Sequence, residues 1–209
     1  KRFVSGCIER GIKDNEAQNI FDLLARFADY GFNKSHAAAY ALISFQTAYL
    51  KTHHPLEFFA ASMTLDINNT DKLAIFQQEL SRMEIKLYPP DINSSDVYFV
   101  TNQEGIKYAL GAIKNVGIES MKDLVMERNK NGSFNSFDDF LDRVNSSIAN
   151  KKTLEALACA GAFDSFDIKR EYIFNQSNEI IKALKDFKLK SDSNQGDIFG
   201  NNDKFSYKF

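Results

Sequence analysis

The chain has 209 residues, 44% of them hydrophobic and 26% charged, with a formal net charge of −2. That is ordinary globular composition, enough for one large domain or two small ones, and it excludes a cationic protein that holds nucleic acid by bulk charge. No run of about 18 apolar residues and no leader pattern occur, so neither a membrane span nor secretion is expected. Cys7 and Cys159 lack metal-ligand or redox spacing and read as reduced thiols of a cytoplasmic protein.

The chain begins without Met and in mid-pattern, as part of something longer would. Residues 16–30 read as an amphipathic helix with Ile20, Leu23, Leu24 and Phe27 on one stripe. The next helix, about 35–52, is apolar nearly all round until Lys51, which predicts burial on several sides. Pro55 suits the first position of a third helix, "PLEFFAASMTL". A fourth follows "NNTD", with its stripe at Leu73, Phe76, Leu80 and Met83. Pro89 and Pro90 end helical pattern, and "DVYFV" and "IKYAL" around "TNQEG" predict a β-hairpin near 96–110. Beyond it come a short helix, a tight turn and a second helix in 110–129. A brief helix at "SFDDFLDRV", a helix and turn at "NKKTLEALACAGAF", and one long final helix from Asp167 follow. The fold expected is therefore mainly α with one small β-hairpin.

Three stretches carry chemistry. At "GFNKSHAAAY", Asn33 or Ser35 can cap a helix whose free first-turn amides and dipole attract an anion, with Lys34 as a mobile cation beside them. His36 and Tyr40, four apart, share a face, and the alanines between them leave room for a flat partner. A solvated lysine and a core histidine are the plain alternative. At 108–129 the pattern is helix-hairpin-helix, with Asn115-Val116-Gly117 in place of Gly-apolar-Gly. Asn tolerates the left-handed backbone, and the amides of Gly117, Ile118 and Glu119 can meet a phosphate flanked by Lys114 and Lys122. An ordinary helical turn is the alternative. "ACAGAFDSF" is a degenerate second hairpin whose Asp164 and Asp167 favour a structural role, and Lys151-Lys152 reads as a solvated helix start. Finally, Gln195, Asp197, Ile198 and Phe199 stand in a polar linker with no amphipathic helix to bury the two apolar side chains, as a docking peptide would. His53 and His54 are adjacent and lack the spacing of a metal pair.

"FADYGFNKSHAAAYALISFQTAYLKTHHPLEFFAASM", followed in order by "LYPPDIN", "ALGAIKNVG" and "LACAGAFDSF", resembles the bacterial C-family replicative DNA polymerases, the polymerase III α subunits, over essentially the whole chain. The resemblance implies a fingers region at 1–87, a helix-hairpin-helix-containing clamp-binding domain at 88–190, and a linker with a sliding-clamp-binding peptide at 191–209. It implies template-directed nucleotidyl transfer by a longer parent. The catalytic Mg2+ would sit on palm carboxylates that nothing here resembles, so this chain would hold no cofactor and be inactive alone. Lys34 and Ser35 would face the triphosphate, His36 the sugar, and Tyr40 would support that face or stack near the primer-template. Lys114, Asn115, Gly117, Ile118 and Lys122 would contact duplex backbone, and Gln195, Asp197, Ile198 and Phe199 the clamp. Partners implied are primer-template DNA, a deoxynucleoside triphosphate, the sliding clamp and other replisome subunits, including a 3′–5′ exonuclease partner. A stand-alone helix-hairpin-helix module would explain 108–129 but not 31–59. A pure interaction domain would explain only the peptide.

Overall fold

The computed structural model describes residues 2–29, 34–193 and 205–207, and it divides into two compact units, Lys1–His53 and His54–Phe209. The fold is mainly helical with one small sheet. The boundary expected near 88 falls inside the second unit.

The first unit is α1 (Arg2–Ile8), α2 (Asp14–Asp29) and α3 (Lys34–His53). Gly11, in the left-handed region at φ 86°, turns the chain between α1 and α2. Phe3 and Phe21 then meet at 6.0 Å, over the fully buried Ala17. Two expectations fail in this unit. The α2 stripe is exposed, Phe27 by 61%, and α3 is exposed along most of its length, Phe45 by 67%. Both helices form as their periodicity and composition predict, but the described residues of this unit supply no second layer to cover them.

The second unit starts at α4 (Pro55–Leu65), with Pro55 at the first helical position. Asn69 then caps α5 (Thr70–Arg82) by accepting from the Lys72 N–H at 3.1 Å. Met83, placed on the α5 stripe by its spacing, is instead the C-cap and partly exposed. Next come three strands, β1 (Lys86–Tyr88), β2 (Val100–Thr101) and β3 (Gly105–Lys107), in the order β1-β3-β2. β2 and β3 are the expected antiparallel hairpin, shorter than predicted. Asn102 ties its turn: the side-chain oxygen accepts from the N–H groups of Glu104 and Gly105 at 2.9 and 2.8 Å. β1, which the sequence reading missed, pairs parallel with β3, and a Cβ on Gly105 would run into the Lys86 carbonyl. Phe59, Met63, Leu73 and Leu80 pack on this sheet with Phe99 and Ile106.

The larger core belongs to α6 (Ile118–Asn131), α7 (Phe137–Arg143), α8 (Lys151–Ala160), α9 (Arg170–Asn175) and α10 (Ser177–Ser193). Ser136 and Asn150 cap α7 and α8 by accepting from the N–H groups of Asp139 and Thr153. Phe134, Phe137, Phe140 and Phe163 meet mostly edge to face, 5.1–6.0 Å apart. The predicted single last helix is broken at Gln176. The buried Ser177 donates to Glu155 of α8 at 2.8 Å, which anchors the start of α10 there. Phe205 is buried against Phe187, and Tyr207 donates its hydroxyl to Gln176 and its N–H to Asp138. Part of the expected tail thus packs on the domain.

Candidate nucleic-acid interface

In the first unit, Lys34 and Ser35 are the opening residues of α3; their side chains, like Asn33, lie outside the described part. His36 and Tyr40 do share a face: their rings lie 4.3 Å apart, tilted by 39°. Tyr40 is 57% exposed, and the surface between them is alanine. The same i, i+4 pairing recurs at Tyr49 and His53, also at 4.3 Å. At 100° per residue, Tyr49 sits about 180° around the helix from Tyr40. Ring pairing of this kind is therefore not peculiar to the start of α3.

In the second unit, the first helix of the predicted hairpin motif is only a 3₁₀ turn, Leu110–Ala112, closed by extended backbone at Ile113. The turn is packed tightly: a Cβ on Gly111 would lie 2.7 Å from the Val97 carbonyl oxygen. Asn115 adopts φ 71°, the left-handed conformation its amide side chain tolerates. Gly117, by contrast, has φ −82° as the residue before α6, and a Cβ there would meet only the Ser120 hydroxyl at 3.6 Å. The positive-φ demand of this hairpin thus falls on Asn115, not on its glycine. Among the described residues, the N–H groups of Lys114, Asn115, Gly117, Ile118 and Glu119 make no backbone–backbone hydrogen bond. They form a cluster of donors at the α6 start.

The two flanking lysines differ. Lys122 donates to Glu119 at 2.7 Å, and that bond raises its pKa. Its charge is already shared with a carboxylate. Lys114 is exposed, with no ion pair or hydrogen bond among the described residues, and lines a cleft of about 440 Å³ with residues of α8 and Phe174 of α9. At the second turn, Gly161 ends α8 in the left-handed region at φ 84°. Arg170 crosses back to Asp164 in a two-pronged ion pair and to the Cys159 carbonyl at 3.4 Å. Its guanidinium fills the space where a Gly161 Cβ would be. The geometry gives this turn a structural use.

Residues behind the hairpin carry positioning work that composition did not reveal. The Asn93 amide makes a reciprocal pair with the Phe134 backbone, both bonds 2.8 Å. Arg128 donates to the carbonyls of Ile92 and Ser95 at 3.0 and 2.6 Å. Arg143 reaches Glu127, Asp139 and two carbonyls while lying over the Phe134 ring. Long-range partners of this kind leave no periodic trace in a sequence. Gln195, Asp197, Ile198 and Phe199 lie outside the described residues.

The family of the helix-hairpin-helix motif matches residues 84–173, from just before β1 into α9. A DNA polymerase III subunit alpha from Caulobacter vibrioides is 47% identical over 199 residues, which is 95% of this chain and 17% of that protein. Those of Borreliella burgdorferi and Pseudomonas aeruginosa are 43% and 42% identical, each again over 95% of this chain. The chain is homologous to a segment of the DNA polymerase III α subunits. It spans 17% of the length of the Caulobacter relative. The α-subunit match takes in the α3 surface as well as the hairpin, whereas the motif match begins only at residue 84. Among the described residues no three His, Cys, Asp or Glu side chains converge as a metal site, and no helix is long and apolar enough to cross a membrane.

Proposed function

We propose that this chain serves a cytoplasmic, DNA-directed DNA polymerase as its substrate-holding and DNA-contacting segment. The observation that carries the reading is the similarity to α subunits at 42–47% identity over 95% of the chain, spanning both units. A free-standing helix-hairpin-helix module accounts for residues 84–173 only.

In this reading Lys34 and Ser35, with the first-turn amides of α3, take the triphosphate of an incoming nucleotide. His36, beside the Tyr40 ring, meets the sugar, where its bulk disfavours a 2′-hydroxyl. Asn115 shapes the hairpin so that the amides around Gly117 and Ile118, with Lys114 and Lys122, meet duplex phosphate without regard to sequence. Gln195, Asp197, Ile198 and Phe199 dock on a sliding clamp within a larger replication assembly. In this reading the Mg2+ that assists the transfer would be held by carboxylates of the parent polymerase, and no chemical step is assigned to this chain.

The test is primer extension by the full-length polymerase carrying His36→Ala, with deoxy- and ribonucleotides in competition. The expected result is a lower deoxy/ribo ratio with extension retained; an unchanged ratio removes the sugar role from His36.

A further inference from the structure

We infer that Lys152 of α8 is a phosphate-binding residue of the duplex contact, acting with Lys114 across the cleft between the hairpin and α8. The inference rests on the DNA-contact reading above and extends it to an element outside the hairpin. Lys114 and Lys152 line one cleft, and both are exposed. Neither has an ion pair or hydrogen bond among the described residues, whereas Lys122 is bonded to Glu119 and Lys151 lies 3.8 Å from Glu155. The acid in the cleft, Glu155, has its contacts with Lys151 and the Ser177 hydroxyl, and no ion pair joins it to Lys152 among the described residues.

Two exposed lysines lining one cleft place like charge along it, which an anion bound there would offset. The lining includes Ala156 and Ala160, small enough for a sugar-phosphate backbone to approach, along with Lys114 and Asn115, whose N–H groups make no backbone–backbone hydrogen bond among the described residues. Lysine suits this task as a point charge. In sequence, Lys151-Lys152 together read as a solvated helix start. The structure separates them: Lys151 lies 3.8 Å from Glu155 on its own helix, and Lys152 has no ion pair or hydrogen bond among the described residues.

The measurement is fluorescence anisotropy of a labelled duplex with the full chain carrying Cys7→Ser, between 50 and 200 mM salt. Each phosphate contact contributes about 0.9 to the slope of log affinity against log salt. Lys152→Ala and Lys152→Gln should each lower the slope by about that amount, equally for unrelated sequences, as should Lys114→Ala; Lys122→Ala should lower it less. Cys159 lines the same cleft and gives a second readout, since bound duplex should slow its alkylation several-fold. If Lys114→Ala lowers the slope while both Lys152 variants keep it and Cys159 stays unprotected, the inference falls and the DNA reading stands. If no salt-dependent duplex binding occurs at all, both fall. Protection of Cys159 by an acidic peptide but not by duplex would overturn the phosphate assignment.

Discussion

Two glycines beside the two hairpins differ in what they demand. Gly161→Ala should destabilise by about 1–2 kcal/mol from its left-handed backbone alone, with more from the displaced Arg170 guanidinium. Gly117→Ala should be nearly neutral in urea denaturation, because its φ of −82° is open to any residue. Equal losses at the two positions would contradict the geometry. A pH effect also belongs at this scale. Bonds from Asn131, then Arg143, hold the Glu127 carboxyl below its ordinary range. A group with a depressed folded-state pKa stabilises above its unfolded value, near 4.3, and loses that contribution as pH falls through the folded value. Glu127→Gln should therefore flatten the fall of stability below about pH 4.3 while leaving its shape near neutrality unchanged.

At the scale of elements, the loop after Pro89-Pro90 fixes how the sheet joins the larger core. Ile92 is fully buried and its N–H donates to the Ala162 carbonyl, while Asn93 pairs with Phe134. Asn93→Ala leaves both backbone groups of Phe134 short of a partner and should cost about 2 kcal/mol by thermal or urea unfolding; a loss under about 0.5 kcal/mol would remove the clamp role. Much of the helical order was legible because its signals are local. Pro55 opens α4, Asn69 and Asn150 cap α5 and α8, and the pattern of Leu73 and Leu80 shows the buried side of α5. What escaped depends on distant partners. β1 is three residues long and exists by pairing with β3, and the α9–α10 break is set by Glu155 and Tyr207, far along the chain. The apolar α3 shows the converse: composition signals a buried helix, but burial needs a neighbour that the described residues of its unit do not supply. At the candidate site, the Asn115 turn was readable from one residue type, whereas the contrast between Lys114 and Lys122 needed coordinates.

At the scale of the whole molecule, the proposed function puts substrate selection, duplex contact and docking in one stretch of chain. The proposed docking peptide lies between Ser193, where α10 ends, and Phe205, which is buried in the larger core. Two apolar side chains entering a pocket stabilise by about 3–6 kcal/mol before ordering is charged, so an isolated copy should bind at roughly micromolar strength or weaker. Deleting residues 195–199 from the full-length polymerase should abolish clamp binding in titration while leaving clamp-independent extension intact; equal clamp binding would end the docking claim. The central claim is that α3 opens a nucleotide site. Its most direct test is Lys34→Ala in the full-length polymerase, with KM for the incoming nucleotide measured on a primer-template. Loss of a charge-assisted phosphate contact worth about 1.5–3 kcal/mol predicts a rise in KM of tenfold or more, and an unchanged KM would contradict the account.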